Sequence, residues 1–247
     1  MRVCSLLSGG KDSNFALYTA ILRGYEVSCI IVVHPSRSDS WMFHAVNTGL
    51  AVLQAKAMNM EDRVVEVRVS GVREREVAEL EAALRRVKES LDFDAIAMGA
   101  LASLYQRRRI EAIASRLGVE VYAPYWGADP EEYMRLLARS GMEFVITRIS
   151  TMGLSPGLLA RPIREAEVEE IIRSSRASGF HPAFEGGEAE TLVVDAPHYH
   201  RRLCLEGRAV RLGPYEYELR VSRAWLGPKG SGCLSVEGLG VEEPLGV

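Results

Sequence analysis

The chain has 247 residues, of which 47% are hydrophobic and 26% are charged. This composition is typical of a globular protein and excludes collagen-like and intrinsically disordered chains. Its 30 basic and 33 acidic residues give a net charge of −3, which argues against binding nucleic acid through bulk electrostatics. The length permits one large domain or two small ones, and such a chain buries roughly 70–75% of its unfolded surface without disulfides or metals.

The four cysteines are scattered along the chain and form no C-x-x-C pair. This argues against a structural zinc or iron–sulfur site and favours a reduced chain in the cytoplasm. The longest β-branched apolar run, Ile30 to Val33, is too short to span a bilayer, and a glycine-rich segment interrupts the apolar start after Leu7. We therefore expect a cytoplasmic protein with no signal peptide and no membrane contact.

The first half of the chain alternates between two hydrophobic periodicities, as a series of βα units does. Strands are predicted at residues 3–7, 26–33, 64–69, 94–100 and 120–123. Helices are predicted between them, at residues 14–23, 42–60, 73–91 and 107–117. Five strands separated by four helices indicate an α/β fold with a five-stranded parallel sheet flanked by helices, which binds its ligand at the carboxyl ends of the strands.

The regular alternation of predicted strands and helices ends after residue 127. This indicates a first domain of residues 1–127 and a second, smaller α+β domain of residues 128–226. Helices are predicted from Asp129 to Gly141 and over residues 165–178, and a strand over residues 144–149. Short antiparallel strands with glycine-containing turns are predicted at residues 203–205, 209–212 and 216–221. The segment 227–247 is rich in Gly, Glu and Pro and is predicted to be a flexible tail.

The most informative segment lies between the first strand and the first helix, and reads Ser8-Gly9-Gly10-Lys11-Asp12-Ser13. Two glycines let backbone N–H groups turn into one concavity, and the helix that follows adds its positive end. Lys11 adds a full charge, and the two serines add hydroxyl donors. This segment is an anion cradle, although it matches neither the Walker A loop nor the dinucleotide fingerprint.

This loop resembles the PP-loop of the N-type ATP pyrophosphatases, which cleave ATP between its α and β phosphates and adenylylate a substrate. The resemblance implies a PP-loop/HUP-like fold, also described as adenine nucleotide alpha hydrolase-like, with ATP bound by residues 8–13. We expect Lys11 to neutralise charge on the bridge between the α and β phosphates and Asp12 to hold Mg²⁺, so that both are catalytic. The cofactor-binding residues are then Ser8, Gly9, Gly10, Lys11, Asp12 and Ser13.

Further segments resemble, in the same order, the sequence blocks of the diphthine–ammonia ligase family, the diphthamide synthases. They are Met42-Phe43-His44 with Asn47, the run from Gly99 to Glu111, Pro124-Tyr125-Trp126-Gly127, and the run from Glu185 to Pro197. The last looks like the family's Gly-Glu-x-Gly-Glu…Thr…Asp-x-Pro signature. Phe184 stands where the family usually has the first glycine, and Leu104 where it usually has an acidic residue.

The family resemblance implies ATP-dependent amidation of diphthine, a modified histidine of translation elongation factor 2, to diphthamide. Adenylylation turns the carboxylate into a mixed anhydride, and ammonia then displaces AMP after pyrophosphate has left. Free ammonium is the expected nitrogen donor because no glutaminase-like segment is visible. The expected partners are the diphthine-bearing factor and ammonium, without nucleic acid; the oligomeric state, a homo-oligomer included, stays open.

An acidic cluster, Glu185, Glu188 and Glu190, surrounds two glycines in the family signature. Clustered carboxylates suit a cation, which here would be ammonium, the trimethylammonium group of diphthine or Mg²⁺. One of the three could act as the base that deprotonates ammonium, so all three are candidate catalytic residues. The alternative is a solvated acidic turn that leads into a strand.

The candidate substrate-binding residues follow predicted strands or lie in the family signature. They are His44, Asn47, Tyr105, Gln106, Arg107, Arg109, Gly186, Gly187 and Thr191. An arginine at a sheet's carboxyl edge could contact phosphate or an acidic partner. The alternatives are a packed histidine and an ordinary exposed face of arginines.

Two rival functions remain. The first is another PP-loop adenylylating enzyme, for example one that acts on tRNA; the absence of a C-x-x-C thiolation pair and the negative net charge argue against it. The second is a non-catalytic ATP-binding protein, which would bind ATP and never release pyrophosphate.

Overall fold

The computed structural model describes residues 1–36 and 48–238. Within these residues, no helix is both long and apolar enough to cross a membrane. The chain divides into two compact units, Met1–Ala128 and Asp129–Val247.

The first unit contains a five-stranded sheet in which every neighbouring pair of strands is parallel, with the order β3-β2-β1-β4-β5. The strands are β1 (Arg2–Leu6), β2 (Glu26–Pro35), β3 (Val64–Val69), β4 (Ala95–Ala97) and β5 (Glu120–Tyr122). The helices are α1 (Lys11–Leu22), α2 (Thr48–Ala57), α3 (Arg75–Ser90) and α4 (Leu104–Leu117), with a 3-10 turn at Glu61–Arg63. The predicted parallel sheet with flanking helices is therefore confirmed.

The chain runs outward in one direction from β1 to β3 and then returns to β4 on the other side of β1. Right-handed crossovers then place α1 and α2 on one face of the sheet and α3 and α4 on the other. The apolar side chains of α3 recur at helical spacing and form a buried stripe: Val77, Leu80, Ala83, Leu84 and Val87. The helix that follows β1 and the helix that follows β4 lie on opposite faces of the sheet. The carboxyl ends of these two strands therefore flank the topological switch point, where α/β sheets bind ligands.

The second unit contains a six-stranded mixed sheet with the path β11-β9-β10-β6-β7, and β8 pairs with β6 off this path. Its strands are β6 (Glu143–Ser150), β7 (Pro162–Ile163), β8 (Ala189–Asp195), β9 (Arg202–Gly213), β10 (Glu216–Gly227) and β11 (Leu234–Glu237). Its helices are α5 (Pro130–Arg139), which Asp129 caps, and α6 (Glu165–Ser178), and a 3-10 turn spans Pro156–Leu158. The second α+β unit agrees with the predicted fold class.

The structure corrects two expectations for the end of the chain. The short strands predicted at residues 203–205 and 209–212 are one strand, β9, because Gly207 marks a close approach and not a turn: a Cβ there would lie 2.5 Å from the Arg220 carbonyl oxygen. The tail predicted to be flexible from residue 227 is wrong for residues 234–237, because these form β11 and pair in parallel with β9. Residues 239–247 lie outside the described part.

The prediction of a reduced chain is also wrong. Cys4 of β1 lies opposite Cys29 of β2 in the parallel register, and the two form a disulfide with a Cα–Cα distance of 4.5 Å. Cys204 of β9 forms a second disulfide with Cys233, whose Cα lies 5.0 Å away. The sequence could not show these pairs, because the two cysteines are separated by 25 positions in the first pair and by 29 in the second. They meet only when the strands pair.

Candidate functional site

The loop predicted to bind an anion, residues 8–13, lies where β1 leads into α1, as the sequence predicted. Gly9 has a φ of 91°, which is the left-handed region that glycine adopts without steric cost, and Gly10 is the N-cap of α1. Ser13 fixes the turn: its hydroxyl accepts from the Ser8 backbone N–H over 3.2 Å and donates to the Gly10 carbonyl over 3.1 Å. The loop thus presents the positive end of a 12-residue helix to an anion.

Lys11 brings a buried positive charge to this loop. Its side chain is 2% exposed, and its ammonium group lies 2.9 Å from Oδ2 of Asp12, which is 27% exposed. A buried ammonium costs free energy unless an anion compensates it, so the Asp12 carboxylate stabilises Lys11 where phosphate oxygens would also bind it. The pair is the charged centre of the loop.

Two buried side-chain amides hold the loop in place by hydrogen bonds, and neither residue was among the predicted site residues. Gln54, on α2, is fully buried and donates to the Gly9 carbonyl over 2.9 Å. Its amide oxygen accepts from the Asn14 amide over 3.2 Å, and Asn14 also donates to the Gly10 carbonyl over 3.0 Å. The two glycine carbonyls therefore point into the protein, which fixes the loop conformation.

Gly99, two residues after the end of β4, contacts the loop from the other side of the switch point. A Cβ at this position would lie 2.3 Å from the Asp12 carbonyl carbon and 2.5 Å from the Ser13 nitrogen. Only glycine permits this approach, because the atoms in the way belong to the backbone. Gly99 is part of a family block, but its contact with the loop could not be predicted from the sequence.

Two of the predicted substrate-binding residues, Tyr105 and Arg109, lie together at the start of α4. Arg109 Nε donates to Glu74 Oε1 over 3.1 Å, and the guanidinium carbon lies 3.4 Å from the centre of the Tyr105 ring. The ion pair raises the pKa of Arg109 and lowers the pKa of Glu74. Glu74, at the N-terminus of α3, was not a predicted site residue.

The other predicted residues of this segment are arranged differently. Arg107 donates to Glu111 over 2.5 Å, and its guanidinium carbon lies 4.3 Å from the centre of the Trp126 ring, so it does not join Arg109. The Gln106 backbone N–H is capped by the Ser103 hydroxyl over 3.4 Å. His44 and Asn47 lie outside the described residues.

The acidic loop of the second unit is organised by the Glu188 carboxylate. One of its oxygens accepts from the His181 backbone N–H and the other from the Gly186 N–H, each over 2.9 Å. The Nδ1 atom of His181 accepts in turn from the Ala183 N–H over 3.2 Å. Glu188 and His181 therefore shape this loop through backbone hydrogen bonds.

Phe184 occupies the signature's first glycine position with an unusual backbone. Its φ of 65° lies in the left-handed region, which explains why glycine suits this position. The Phe184 side chain is 6% exposed, and its ring centroid lies 6.5 Å from that of Phe180. Burial of the ring offsets the backbone strain.

The remaining predicted residues of the signature lie at the loop's end or on β8. Gly187 has a φ of 82°, and Glu185 donates its backbone N–H to His181 Nδ1 over 3.5 Å. Glu190 is opposite Arg148 of β6 in the strand register, and Thr191 is 8% exposed opposite Ile146. Glu190 is thus paired in register with a cationic residue.

An ion network holds the end of the signature. Arg202, 6% exposed, pairs with Glu143 and lies 3.7 Å from Asp195. The Lys229 ammonium lies 3.3 Å from the other Asp195 oxygen and donates to the carbonyls of Ala196 and Tyr199 over 2.8 and 2.9 Å. Asp195 therefore pairs with structural cations. Through its hydrogen bonds, Lys229 fixes the start of the segment that was predicted to be flexible.

The residues fit a magnesium ion that arrives with a nucleotide. Among residues 1–36 and 48–238, no three His, Cys, Asp or Glu side chains are grouped to hold a metal. Magnesium at nucleotide sites is usually held by one or two carboxylates together with phosphate oxygens and water. Asp12 supplies one such carboxylate at the loop.

A parallel sheet of order 3-2-1-4-5 with a glycine-containing turn and a helix N-terminus after its first strand is the architecture typical of nucleotide-binding α/β proteins. The sequence matches the diphthamide synthase N-terminal domain over residues 1–121 and the diphthamide synthase C-terminal domain over residues 129–229. The chain therefore belongs to the diphthamide synthase family. This confirms the predicted family and, at the level of that family, the predicted ligase class.

Several proteins named diphthine–ammonia ligase are similar to this chain. The one from Schizosaccharomyces pombe is 29% identical over 224 residues, which are 85% of this chain and 37% of that protein. Those from Rattus norvegicus and Homo sapiens are 29% identical, covering 83% and 85% of this chain and the same shares of their own lengths. A solved structure described as a predicted subunit of tRNA methyltransferase from Methanocaldococcus jannaschii has a TM-score of 0.41 and 17% identity, covering 80% of this chain and 98% of that one.

Proposed function

We propose that this protein is a diphthine–ammonia ligase that uses ATP and ammonium to convert the carboxylate of diphthine on translation elongation factor 2 into the amide of diphthamide. The observation that carries the proposal is the buried Lys11 beside Asp12 in an anion-binding loop at the switch point of the sheet. Support for the acceptor comes from the family and from the names of its relatives. The proposed location is the cytoplasm; this rests on the acceptor, a translation factor, and not on the cysteines, because two disulfides do not indicate a reducing compartment.

In the first step, a carboxylate oxygen of diphthine attacks the α-phosphorus of ATP. The bond between this phosphorus and the bridging oxygen breaks, and pyrophosphate leaves with the electron pair. Gly9, Gly10 and Ser13 bind the β and γ phosphates, and the Lys11 ammonium stabilises the charge that develops on the bridging oxygen. When bound, magnesium held by Asp12 and the phosphates would neutralise further charge.

In the second step, ammonia attacks the acyl carbon of the adenylate, and AMP leaves. Ammonium must lose a proton before it is nucleophilic, so the reaction needs a base. Glu188 already accepts two backbone hydrogen bonds, and we assign it to shaping the acidic loop. Glu185 and Glu190 are the candidates for the base or for binding a cation, with Gly186, Gly187 and Thr191 as their substrate-binding neighbours.

The experiment that tests the proposal is product analysis by mass spectrometry. Purified protein is incubated with ATP, Mg²⁺ and ammonium, with and without diphthine-bearing elongation factor 2. The expected result is AMP, pyrophosphate and a mass decrease of about 1 Da on the factor, because amidation replaces a hydroxyl by an amino group. AMP without conversion of the factor would refute the acceptor, and no AMP under any condition would refute the ligase.

Lys11→Ala tests the assignment of the phosphate loop. We expect at least about a hundredfold loss of AMP formation, as for other electrostatic groups that act on a transition state. Lys229→Ala is the matched control, because it removes a lysine charge from the second unit. Near-normal turnover of Lys11→Ala would contradict the role of Lys11.

A further inference from the structure

A cluster of hydrogen-bond donors at the start of α4 converges on one carboxylate oxygen. Arg109 donates to Glu74 Oε1 through Nε, over 3.1 Å, and through Nη2. The Tyr105 hydroxyl donates to the same oxygen over 3.4 Å, and Nε of Arg73 lies 4.0 Å from it. This arrangement is a carboxylate-binding site, and the chain's own Glu74 occupies it.

The donors are held in place by contacts that do not involve Glu74. The Arg109 guanidinium stacks on the Tyr105 ring at 3.4 Å, and its Nη1 donates to the Tyr105 carbonyl over 3.1 Å. The Arg73 guanidinium carbon lies 5.2 Å from the centre of the same ring. A planar guanidinium fixed in this way is suited to binding carboxylates, because little freedom is lost when it binds.

Glu74 itself is placed as a displaceable occupant. Its side chain is 60% exposed, whereas that of Arg109 is 21% exposed. Its φ of 64° and ψ of −36° are strained for a residue with a Cβ, and its side chain does not cap α3 although it stands at the N-cap position. Because the Glu74 side chain is already mostly exposed, its release from Arg109 would leave no buried carboxylate without a partner.

The cluster lies at the same edge of the sheet as the phosphate loop. In a parallel sheet, the segments after β1, β3 and β4 all leave from the carboxyl edge. Gly99, after β4, contacts the backbone of Asp12, and α4 begins five residues later, at Leu104. The donors of Arg109 and Tyr105 are therefore in the region where an acceptor of the adenylyl group must bind.

We propose that Arg109 and Tyr105 bind the carboxylate of the acceptor, and that Glu74 occupies these donors until the acceptor displaces it. This inference rests on the proposed function, because a ligase of this kind activates a carboxylate. The exchange replaces one carboxylate by another and breaks no covalent bond. The two partners of one ion pair then have opposite effects: Arg109 favours acceptor binding, and Glu74 competes with it.

The experiment compares Glu74→Gln with Arg109→Gln, which have the same substituent and remove the same ion pair. We expect Glu74→Gln to lower the KM for diphthine-bearing elongation factor 2 by about three- to tenfold, and Arg109→Gln to raise it by about tenfold or more. The KM for ATP should stay unchanged in both. A purely structural ion pair would shift the acceptor KM of both variants in the same direction, and that result would overturn the proposal.

A second measurement separates this proposal from the proposed function. If the wild-type protein does not amidate the factor, the function fails, and the site is tested with trimethylglycine, which carries the carboxylate and trimethylammonium groups of diphthine. The NMR signal of the Arg109 Nε–H group is the one that is missing from the spectrum of Arg109→Gln. Addition of trimethylglycine to Glu74→Gln should shift this signal. Absence of that shift up to about 0.1 M, a concentration that detects even millimolar binding, would overturn the carboxylate site.

Discussion

Gly99 and Asp12 are packed backbone to backbone, with space for a hydrogen but not for a methyl group between them. A Cβ on Gly99 would lie 2.3 Å from the carbonyl carbon of Asp12 and 2.5 Å from its oxygen. The end of β4 thus determines where the first turn of α1 lies. That turn carries Lys11 and Asp12, so the contact connects strand packing to the loop that we propose binds ATP.

Gly99→Ala should therefore displace the loop and lower ATP affinity by at least about tenfold, equivalent to about 1.4 kcal/mol. Isothermal titration calorimetry measures the affinity, and circular dichroism checks the fold. Gly49→Ala is the control, because a Cβ there meets no described atom within 4 Å and the position lies in α2. Normal ATP binding by Gly99→Ala would show that the loop does not need this contact.

The buried amide of Gln54 gives a second prediction. Gln54→Leu keeps the volume but leaves the Gly9 carbonyl without that donor, which costs about 1–3 kcal/mol of stability. ATP affinity should fall together with stability, because the loop conformation depends on this hydrogen bond. Denaturant unfolding and calorimetry measure the two quantities.

Thr19→Val is the matched control for Gln54→Leu. It removes hydrogen bonds to the Phe15 carbonyl and the Tyr125 hydroxyl within the same unit, away from the loop. A similar loss of stability with unchanged ATP affinity is expected. Equal loss of ATP affinity in both variants would mean that the effect is global and not specific to the loop.

The fold of the first unit could be predicted from sequence because its signals are local. Alternating periodicities identified five strands and four helices, and the stripe of α3 is buried as its spacing requires. The phosphate loop was visible because glycines, Lys11 and Asp12 are consecutive. By contrast, Gln54 and Glu74 act through contacts with residues 45 and 35 positions away, Gly9 and Arg109, and no local pattern marks such contacts.

In the second unit, too, strand pairing depends on contacts between distant residues, which the local sequence pattern does not show. Gly207 looked like a turn because an isolated glycine between apolar runs usually marks one. In the structure, it lies opposite Val221 next to an irregularity in the β9–β10 ladder, where the backbones approach closely. The strand β11 was missed because it has only four residues, none of them fully buried, and lies within a Gly- and Glu-rich segment.

Phe184 allows backbone strain to be measured against side-chain packing. Phe184→Ala removes the packed ring but keeps a Cβ at a φ of 65°, and should cost about 3–5 kcal/mol of stability. Phe184→Gly removes the same ring and the strain, so it should be about 1–2 kcal/mol more stable than Phe184→Ala. Urea unfolding measures both. The usual order, with alanine more stable than glycine, would show that the backbone at this position is unstrained.

The disulfide of Cys204 and Cys233 closes a loop with a sequence separation of 29 residues. The chain-entropy model gives such a cross-link about 3–4 kcal/mol of stabilisation, so the Cys204→Ala/Cys233→Ala double variant should unfold at correspondingly lower urea concentration. A reducing agent should lower the stability of the wild-type protein and leave a variant without any cysteine unchanged. Alkylation of all four thiols in the native protein, purified without reductant, would contradict both disulfides.

His198 predicts a pH dependence of stability in a range where few other groups titrate. Both of its ring nitrogens are buried, and burial, together with the Lys229 ammonium, lowers its pKa from 6.5 to about 3. Between about pH 3 and pH 6.5, His198 is therefore protonated in the unfolded chain and neutral in the folded protein. Stability is fully present above pH 6.5 and is lost progressively as the pH falls toward 3.

At pH 5 this difference amounts to about 2 kcal/mol relative to pH 7.5, since each pH unit below 6.5 costs about 1.4 kcal/mol. Carboxylates with lowered pKa values, such as Glu81 and Glu143, start from 4.5 and so add their own loss mainly below that pH. Urea unfolding at pH 7.5, 6 and 5 measures the effect, and His198→Gln is the control because glutamine does not titrate. If the wild-type protein and His198→Gln lost stability equally between pH 7.5 and 5, a buried neutral histidine at this position would be refuted.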